Sequence, residues 1–575
     1  MKKLNQLVCV SVAVICQVCF FCLPGQELGG SRTDDQILFA KIDGLFAPWN
    51  APDTPGVAFV ITRGGKIVYK KCFGAANLEY HIPVRFNTSF NLASVSKQFT
   101  AFSVLMLEKL GKLDLNDDVR KYLPDLPKYS KAVTLRHLLN HTSGIWEYST
   151  TMISYCGYNI KDHFTLNELM EVLKHQEKLL FEPGSNLSYC NTNYILLAQV
   201  VEKITGVKFQ QWTKSHIFDP LGMKNSFFVQ NSSQLIPNKA SPYQKLREEI
   251  IDGTSSWVDF VGQAHLFSTI DDMALWMDNF RSRTIGGNAV IDKMFQIGKL
   301  NDGRESAYGY GLEVYPRFGK LVAEHSGQTG GYKSFMLYCP DLELGITVLA
   351  NERSIDIVGL GRNIFKLCLI KETQVAAVSG GEQKFIPFNP ESAARYAGGY
   401  IIEGLNAKLA VSVEPEFLRA AIFGLGEDAL YPISERSFSN RSNSNTIEFL
   451  DGKDRIFKRV ELTIMGKKMT AHRIILDATR TQTHLADYEG TYYSESFGIG
   501  YRFRAENERL IMHHRRYGDM QTQPIDAEEF LCPQGFLKFT RNQEGEIIGF
   551  ILTPSDDRFY FQGIEFSKLR RDSPF

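Results

Sequence analysis

No charge of either sign predominates in this chain of 575 residues: 64 Lys and Arg offset 64 Asp and Glu, for a formal charge of +0. With no basic surplus and no local run of Lys or Arg, there is no electrostatic footprint for nucleic acid, which is set aside as a partner. Long polar, charge-rich stretches are also missing. Charged residues make up 22% against 44% hydrophobic and 12% aromatic, which excludes extended disorder. The length exceeds one ordinary core, and about two to four domains are expected. The ten cysteines lack any CxxC pair. Four of them (Cys9, Cys16, Cys19, Cys22) lie near the N-terminus, and Cys72, Cys156, Cys190, Cys339, Cys368 and Cys532 are scattered. That spacing excludes a zinc ribbon and a disulfide-framework fold, leaving isolated thiols, with Cys156 to Cys190 the pairing an oxidising compartment would still permit.

Lys2 and Lys3 precede an uncharged, mostly apolar stretch from Leu7 to Leu23, closed by Pro24-Gly25. Residues 1–25 read as a secretory signal peptide, which implies a secreted or periplasmic protein. The alternative is an uncleaved membrane anchor, because the stretch sits at the lower limit for spanning; membrane association would follow only from that reading. No leader cysteine follows the small residue that a lipoprotein cleavage site requires.

An internal repeat organises the C-terminal third. Tyr396-Ala-Gly398-Gly-Tyr400 matches Tyr488-Glu-Gly490-Thr-Tyr492, an offset of 488 − 396 = 92 residues, and Pro432-Ile433 with Phe438 matches Pro524-Ile525 with Phe530 in the same register. Short alternating segments such as Gly500–Arg504, Arg509–His513 and Phe536–Thr540 predict strands. Residues 388–480 and 481–575 therefore read as two tandem antiparallel β-barrels, lipocalin-like in kind, with Thr373–Phe388 as the linker. Residues 33–372 mix strands and long helices, as an α+β domain does. Gly56–Ile61 and Lys66–Tyr69 predict a hairpin around Gly64-Gly65, and apolar periodicity predicts helices over 96–110, 166–175 and 193–204. Ser334–Tyr338 and Leu344–Ala350 predict neighbouring buried strands.

Ser94-Val-Ser-Lys97 opens the first of those helices, and its spacing of three puts the Ser94 hydroxyl and the Lys97 amine on one face. Alone, SxxK is a weak signal, commonly a capping serine beside a solvated lysine. Two further elements accompany it: Tyr189-Cys190-Asn191 just before a helix, and His325-Ser326-Gly327 before an apolar strand. In this order the three resemble the serine β-lactamase and penicillin-binding-protein superfamily, with its SxxK, YxN and KTG-type elements. Leu135–Gly144, Leu266–Asp272 and Tyr308–Leu312 look like that family's connecting segments, and the resemblance covers residues 50 to 355. Tyr189 in the middle element is similar to the class C β-lactamase, esterase and D-aminopeptidase branch. His325, where many members carry lysine, together with two barrels resembles the D-aminopeptidases.

The resemblance implies a β-lactamase-like transpeptidase fold, an antiparallel sheet with helices, and an acyl-serine mechanism without metal or organic cofactor. Ser94 would be the nucleophile, Lys97 and Tyr189 the proton-transfer pair, and Asn191, His325, Gly327 and Gln328 the substrate-binding residues, the backbone N–H groups of Ser94 and Gln328 forming the oxyanion hole. For Lys97 or Tyr189 to act as a base near pH 7, a depression of about 3 pKa units is needed, roughly 4 kcal/mol. The substrate expected is a small molecule or short peptide, with D-amino-acid-containing peptides first. An esterase, a β-lactamase and a penicillin-binding or sensory module without turnover are the alternatives. A histidine at 325 with an ordinary pKa is expected to be neutral at pH 7.4, and selectivity is expected to move towards carboxylates as it protonates. His137 and His141 have helical metal-ligand spacing but no third ligand, so local hydrogen bonding is expected. Cys190, as the x of YxN, should point away from the site, and Tyr492-Tyr493 and Phe559-Tyr560 read as packing aromatics.

Overall fold

The computed structural model describes residues 32–569 apart from 153–155, 157, 159–161, 232–233, 247–248, 255–257, 374–384, 403–406, 415–416, 423–425, 441–444, 451–456, 465–466, 474–483, 496–497, 527 and 555–563. The leader at 1–25 and Phe559-Tyr560 lie outside the described residues. Among those described, no helix is long and apolar enough to cross a membrane.

The apolar run after Gly56 forms β1 (Val57–Arg63), buried along almost its whole length. It turns at Gly64 and Gly65, both at positive φ (55° and 76°), into β2 (Lys66–Phe73). Two consecutive residues at positive φ are what a tight hairpin matching strand twist demands, and glycine supplies them without a Cβ clash. Four later strands complete the sheet: β3 (Glu313–Arg317), β4 (Lys320–Thr329), β5 (Tyr332–Cys339) and β6 (Leu344–Ala350). Their order is β3-β4-β5-β6-β1-β2, and the pairings are antiparallel. Strands covered on both faces carry continuous apolar sequence instead of alternation, which is why β1 and β6 read as unbroken runs.

One face of the sheet packs on α1 (Arg32–Leu45) and α5 (Ile357–Thr373) through Ile42, Phe59, Ile346 and Ile364. The other face packs on α2 (Lys97–Lys109), α3 (Asn191–Thr205) and α4 (Ile270–Ser282) through Val60, Phe99, Leu196 and Trp276. Helix α2 is closed by Gly111 at φ 67° and α3 by Gly206 at φ 73°, the left-handed stops that glycine favours. Cys156 and Cys190 share no disulfide in the structure, so the pairing that an oxidising compartment would permit is not formed.

Beyond residue 384, eight strands from Gly398–Ile402 to Lys467–Arg473 close a barrel, and nine from Gly490–Ser494 to Ile564–Lys568 form a second, nearly closed antiparallel sheet among the described residues. The repeat seen in sequence has a physical basis. In each copy the second tyrosine donates its hydroxyl to the first tyrosine's carbonyl, Tyr400 to Tyr396 and Tyr492 to Tyr488, at 2.8 Å in both. A cation from the last strand then lies 5.5 Å over the ring of the second tyrosine, Arg473 on Tyr400 and Lys568 on Tyr492. The intervening Gly398 and Gly490, at φ 152° and 140°, leave room for that side chain; a Cβ would lie 2.8 Å from an Arg473 guanidinium nitrogen at Gly398 and 2.8 Å from Lys568 Cε at Gly490. Tyr492 is buried among Phe503, Phe539 and Phe550, so packing explains it.

The second barrel touches the N-terminal α+β domain through the turn before Gly518. Tyr517 donates its hydroxyl to Tyr158 O at 2.9 Å, Arg516 pairs with Asp162 at 3.1 Å and lies 4.5 Å over the Tyr158 ring, and Cys156 packs on the barrel core. Both members of the ion pair are substantially exposed, 44% and 40%, so screening leaves it worth about 0–1 kcal/mol. Tyr517→Ala is expected to release this contact and speed limited proteolysis between residues 150 and 165 several-fold, whereas Asp162→Asn should leave the cleavage rate near wild type. An Asp162→Asn rate raised above wild type to that of Tyr517→Ala would show that the charge pair holds the domains together, and a wild-type rate in both variants would show that neither contact does.

Candidate active site

Ser94 does not sit in the α-helix itself but in a 3-10 turn, Ala93–Ser96, that feeds α2. The residue before it, Ala93, adopts φ 46° and is 1% exposed. A non-glycine residue in that region is held only by surrounding structure, and Asn91 Oδ1 supplies part of the hold by accepting from Ala93 N at 2.9 Å. The turn delivers Ser94 to the cleft one residue after this bend.

Lys97 is 0% exposed. Its Nζ donates to Asn191 Oδ1 at 2.6 Å and Gln263 O at 2.8 Å, and lies 3.1 Å from Ser94 Oγ. The same nitrogen is 4.8 Å from the centroid of the Tyr189 ring and 5.7 Å from that of Tyr194. Two fixed acceptors aim the amine at the hydroxyl, so Ser94, Lys97, Tyr189 and Asn191, spread over 98 residues (191 − 94 + 1), converge on one point. Cys190 points away: its Sγ contacts Ile145 O at 3.4 Å and the residue is 2% exposed.

Strand β4 closes the other side. Gly327 pairs with Ser334, whose hydroxyl donates to Leu92 O at 2.5 Å. A Cβ at Gly327 would lie 2.4 Å from Leu92 O and 2.9 Å from Ser94 N, so only glycine lets the strand reach the serine turn. Gln328 follows directly. With its amide oxygen turned towards Arg353, its side chain accepts from that guanidinium at 3.2 Å.

His325 departs from its expected behaviour. It is 3% exposed, and both ring nitrogens are occupied, Nδ1 at 2.6 Å from Ser326 O and Nε2 at 3.0 Å from Tyr308 Oη. A carbonyl can only accept, so Nδ1 carries the proton and Nε2 receives the Tyr308 hydroxyl. Burial, with the charge of Lys97 second, pushes its pKa down to about 3. The same causes hold His265 at about 4 and His141 well below the ordinary value. The expectation that His325 protonates across the neutral range is therefore corrected: its ring is neutral throughout. Selectivity between a penicillin and a neutral ester should stay flat from pH 5.5 to 8; a shift in that window following one proton would contradict the buried neutral ring.

The same depression has a consequence for stability. Between the unfolded histidine pKa near 6.5 and the folded values, the unfolded chain binds more protons, so stability falls as pH falls, by about 1.4 kcal/mol per pH unit for each such histidine. Urea midpoints of the catalytic domain at pH 7 and pH 5 test this, and His325→Asn should shrink the difference.

Of the two histidines with metal-ligand spacing, His137 completes a capping box with Thr134, and His141 Nδ1 accepts from Cys190 N at 3.1 Å. Among the described residues no group of His, Cys, Asp and Glu could hold a metal ion. Sequence reasoning missed Glu147, Tyr308 and Gln263. Glu147 takes the backbone N–H of Asn191 and, at 3.0 Å, its Nδ2, which turns Asn191 Oδ1 towards Lys97. Nothing in a single sequence marks a glutamate 44 residues before its partner.

The Beta-lactamase family model matches residues 42–359, a span that contains every group just described. Penicillin-binding protein 4* of Bacillus subtilis (strain 168) is 29% identical over 426 residues, 68% of this chain and 89% of that protein. A D-aminopeptidase of Gluconobacter oxydans (strain 621H) is 27% identical over 301 residues, 52% of this chain and 56% of that protein, so the chain spans about half the length of that relative. The octameric penicillin-binding protein homologue from Pyrococcus abyssi superposes with a TM-score of 0.53 at 25% identity, covering 76% of this chain and 100% of that one. With its match over more than half its length, the chain belongs to the Beta-lactamase family, whose members include serine hydrolases of the D-aminopeptidase type.

Proposed function

We propose that this protein hydrolyses small amides or esters through an acyl-Ser94 intermediate, with peptides or amides bearing a D-amino acid as the preferred substrates. The observation that carries the reading is the Lys97 amine, buried, held by Asn191 and Gln263 O, and 3.1 Å from Ser94 Oγ. In the acylation step the Lys97 and Tyr189 pair takes the Ser94 proton as Oγ bonds to the substrate carbonyl carbon. The charge that develops on the carbonyl oxygen falls between the backbone N–H groups of Ser94 and Gln328, where each donor is worth about 3–4 kcal/mol. Collapse expels the amine or alcohol, which leaves with the proton returned by the pair. Water then repeats the sequence on the acyl-enzyme.

The D-amino-acid preference rests on the D-aminopeptidase relative and on a site in which His325 contributes no cation. D- and L-aminoacyl anilides, a short-chain ester and a chromogenic cephalosporin, assayed on the full chain, test it. Turnover of the D-anilide above its L-isomer supports the reading. Faster turnover of the ester makes the protein an esterase, and a stable label without turnover makes it a penicillin-binding module. Export rests on the leader; N-terminal sequencing of mature protein beginning after Gly25 would support it, and a retained leader would favour anchoring.

A further inference from the structure

His141 lies one step behind the reacting groups and touches none of them through a hydrogen bond to Ser94 or Lys97 that would make it catalytic. It is 0% exposed and adopts φ 58°. Its two acceptors grip the chain on either side of Tyr189: its carbonyl takes Ser188 N at 2.9 Å, and its Nδ1 takes Cys190 N at 3.1 Å. Between these bonds the Tyr189 ring lies 4.3 Å, centroid to centroid, from the imidazole, and the Tyr308 ring lies 4.4 Å from the imidazole and 5.7 Å from Tyr189. We propose, on the basis of the acyl-serine reading, that His141 is a positioning residue that sets Tyr189 against Ser94 and Lys97 by clamping residues 188 and 190 while its ring supports the phenol.

The position makes three demands at once. It needs a residue that tolerates positive φ, among which histidine, asparagine and aspartate are enriched. It needs an acceptor two bonds beyond Cβ, since an unpaired Cys190 N–H in this interior would cost about 1–3 kcal/mol. It also needs a flat ring to back Tyr189. Because Nδ1 accepts, the imidazole is neutral with its proton on Nε2, and burial together with the Lys97 charge keeps it so. Ser143, two residues on, donates to Asn193 Oδ1 at 2.7 Å, so the segment after His141 is pinned to α3 and the clamp has a fixed base.

Two substitutions separate the demands. His141→Phe keeps a ring and loses the acceptor; His141→Asn keeps an acceptor and the backbone preference. With a fluorophosphonate probe on the full chain, His141→Phe is expected to lower the maximal labelling rate of Ser94 at least tenfold with the half-saturating probe concentration within twofold of wild type. His141→Asn should recover to within about fivefold of the wild-type rate. A misplaced base slows the chemical step and spares binding, whereas general loosening of the fold would move both constants. If His141→Phe does not fold, His141→Ala takes its place with the same tenfold loss expected, and equal rates for the Ala and Asn variants would overturn the clamp. A parental rate in His141→Phe would overturn it as well, with the acyl-serine reading intact. A wild type that the probe leaves unlabelled at Ser94 would overturn that reading and the clamp's catalytic purpose together.

Discussion

Ser94→Ala is expected to abolish covalent labelling by a fluorescent penicillin or fluorophosphonate while leaving the thermal midpoint within a few degrees of wild type. Ser94 is half-buried in the turn before α2, and its hydroxyl is 3.1 Å from Lys97 Nζ. Removing the hydroxyl deletes the atom that accepts the acyl group in the proposed reaction, so the expected loss is complete rather than graded. The fold should survive, because Asn191 Oδ1 and Gln263 O still hold the lysine and the bend at Ala93 is set by Asn91. Mass spectrometry of the labelled peptide checks the site, and a label found on another serine would refute the assignment.

Lys97→Ala is expected to lower kcat/KM, and the labelling rate of Ser94, by at least the roughly 10²-fold typical of a lost proton-transfer group. The variant should also be less stable than Ser94→Ala. Asn191 Oδ1 and Gln263 O each lose their donor in an interior site, and unsatisfied buried acceptors cost about 1–3 kcal/mol each. Lys97→Arg distinguishes charge from fit: the larger guanidinium keeps a cation but cannot give up its proton near neutral pH, so the rate should stay low. Activity near wild type in either variant would transfer the base role to Tyr189 alone, and kcat/KM for Tyr189→Phe would then have to fall by the same factor.

Local pattern carried much of the architecture. The hairpin at Gly64-Gly65, the helices closed by Gly111 and Gly206, and the buried β5 and β6 were legible because turn chemistry and apolar runs are properties of consecutive residues. The tandem barrels were legible because a repeated Tyr-x-Gly-x-Tyr has one packing solution, used twice. SxxK, YxN and HxG were likewise visible as short elements in order. Helix α2 runs within one residue of its expected bounds at each end, but the 3-10 turn that carries Ser94 was not legible, since the bend at Ala93 depends on a hydrogen bond to Asn91 that propensity does not encode.

The amino-acid sequence by itself determined the order of the α+β domain and the barrels, the strand and helix types, and the short SxxK and YxN elements that hold the candidate serine, lysine and tyrosine, because each of these is written in neighbouring residues. Only the tertiary structure decided what those groups meet. It turned Glu147 onto Asn191 and His141 onto Cys190, and it buried His325 against Tyr308 so that its pKa drops to about 3. The reason is physical: hydrogen-bond partners and desolvation depend on which distant segments share an interior, and a residue's own position in the chain carries no record of that.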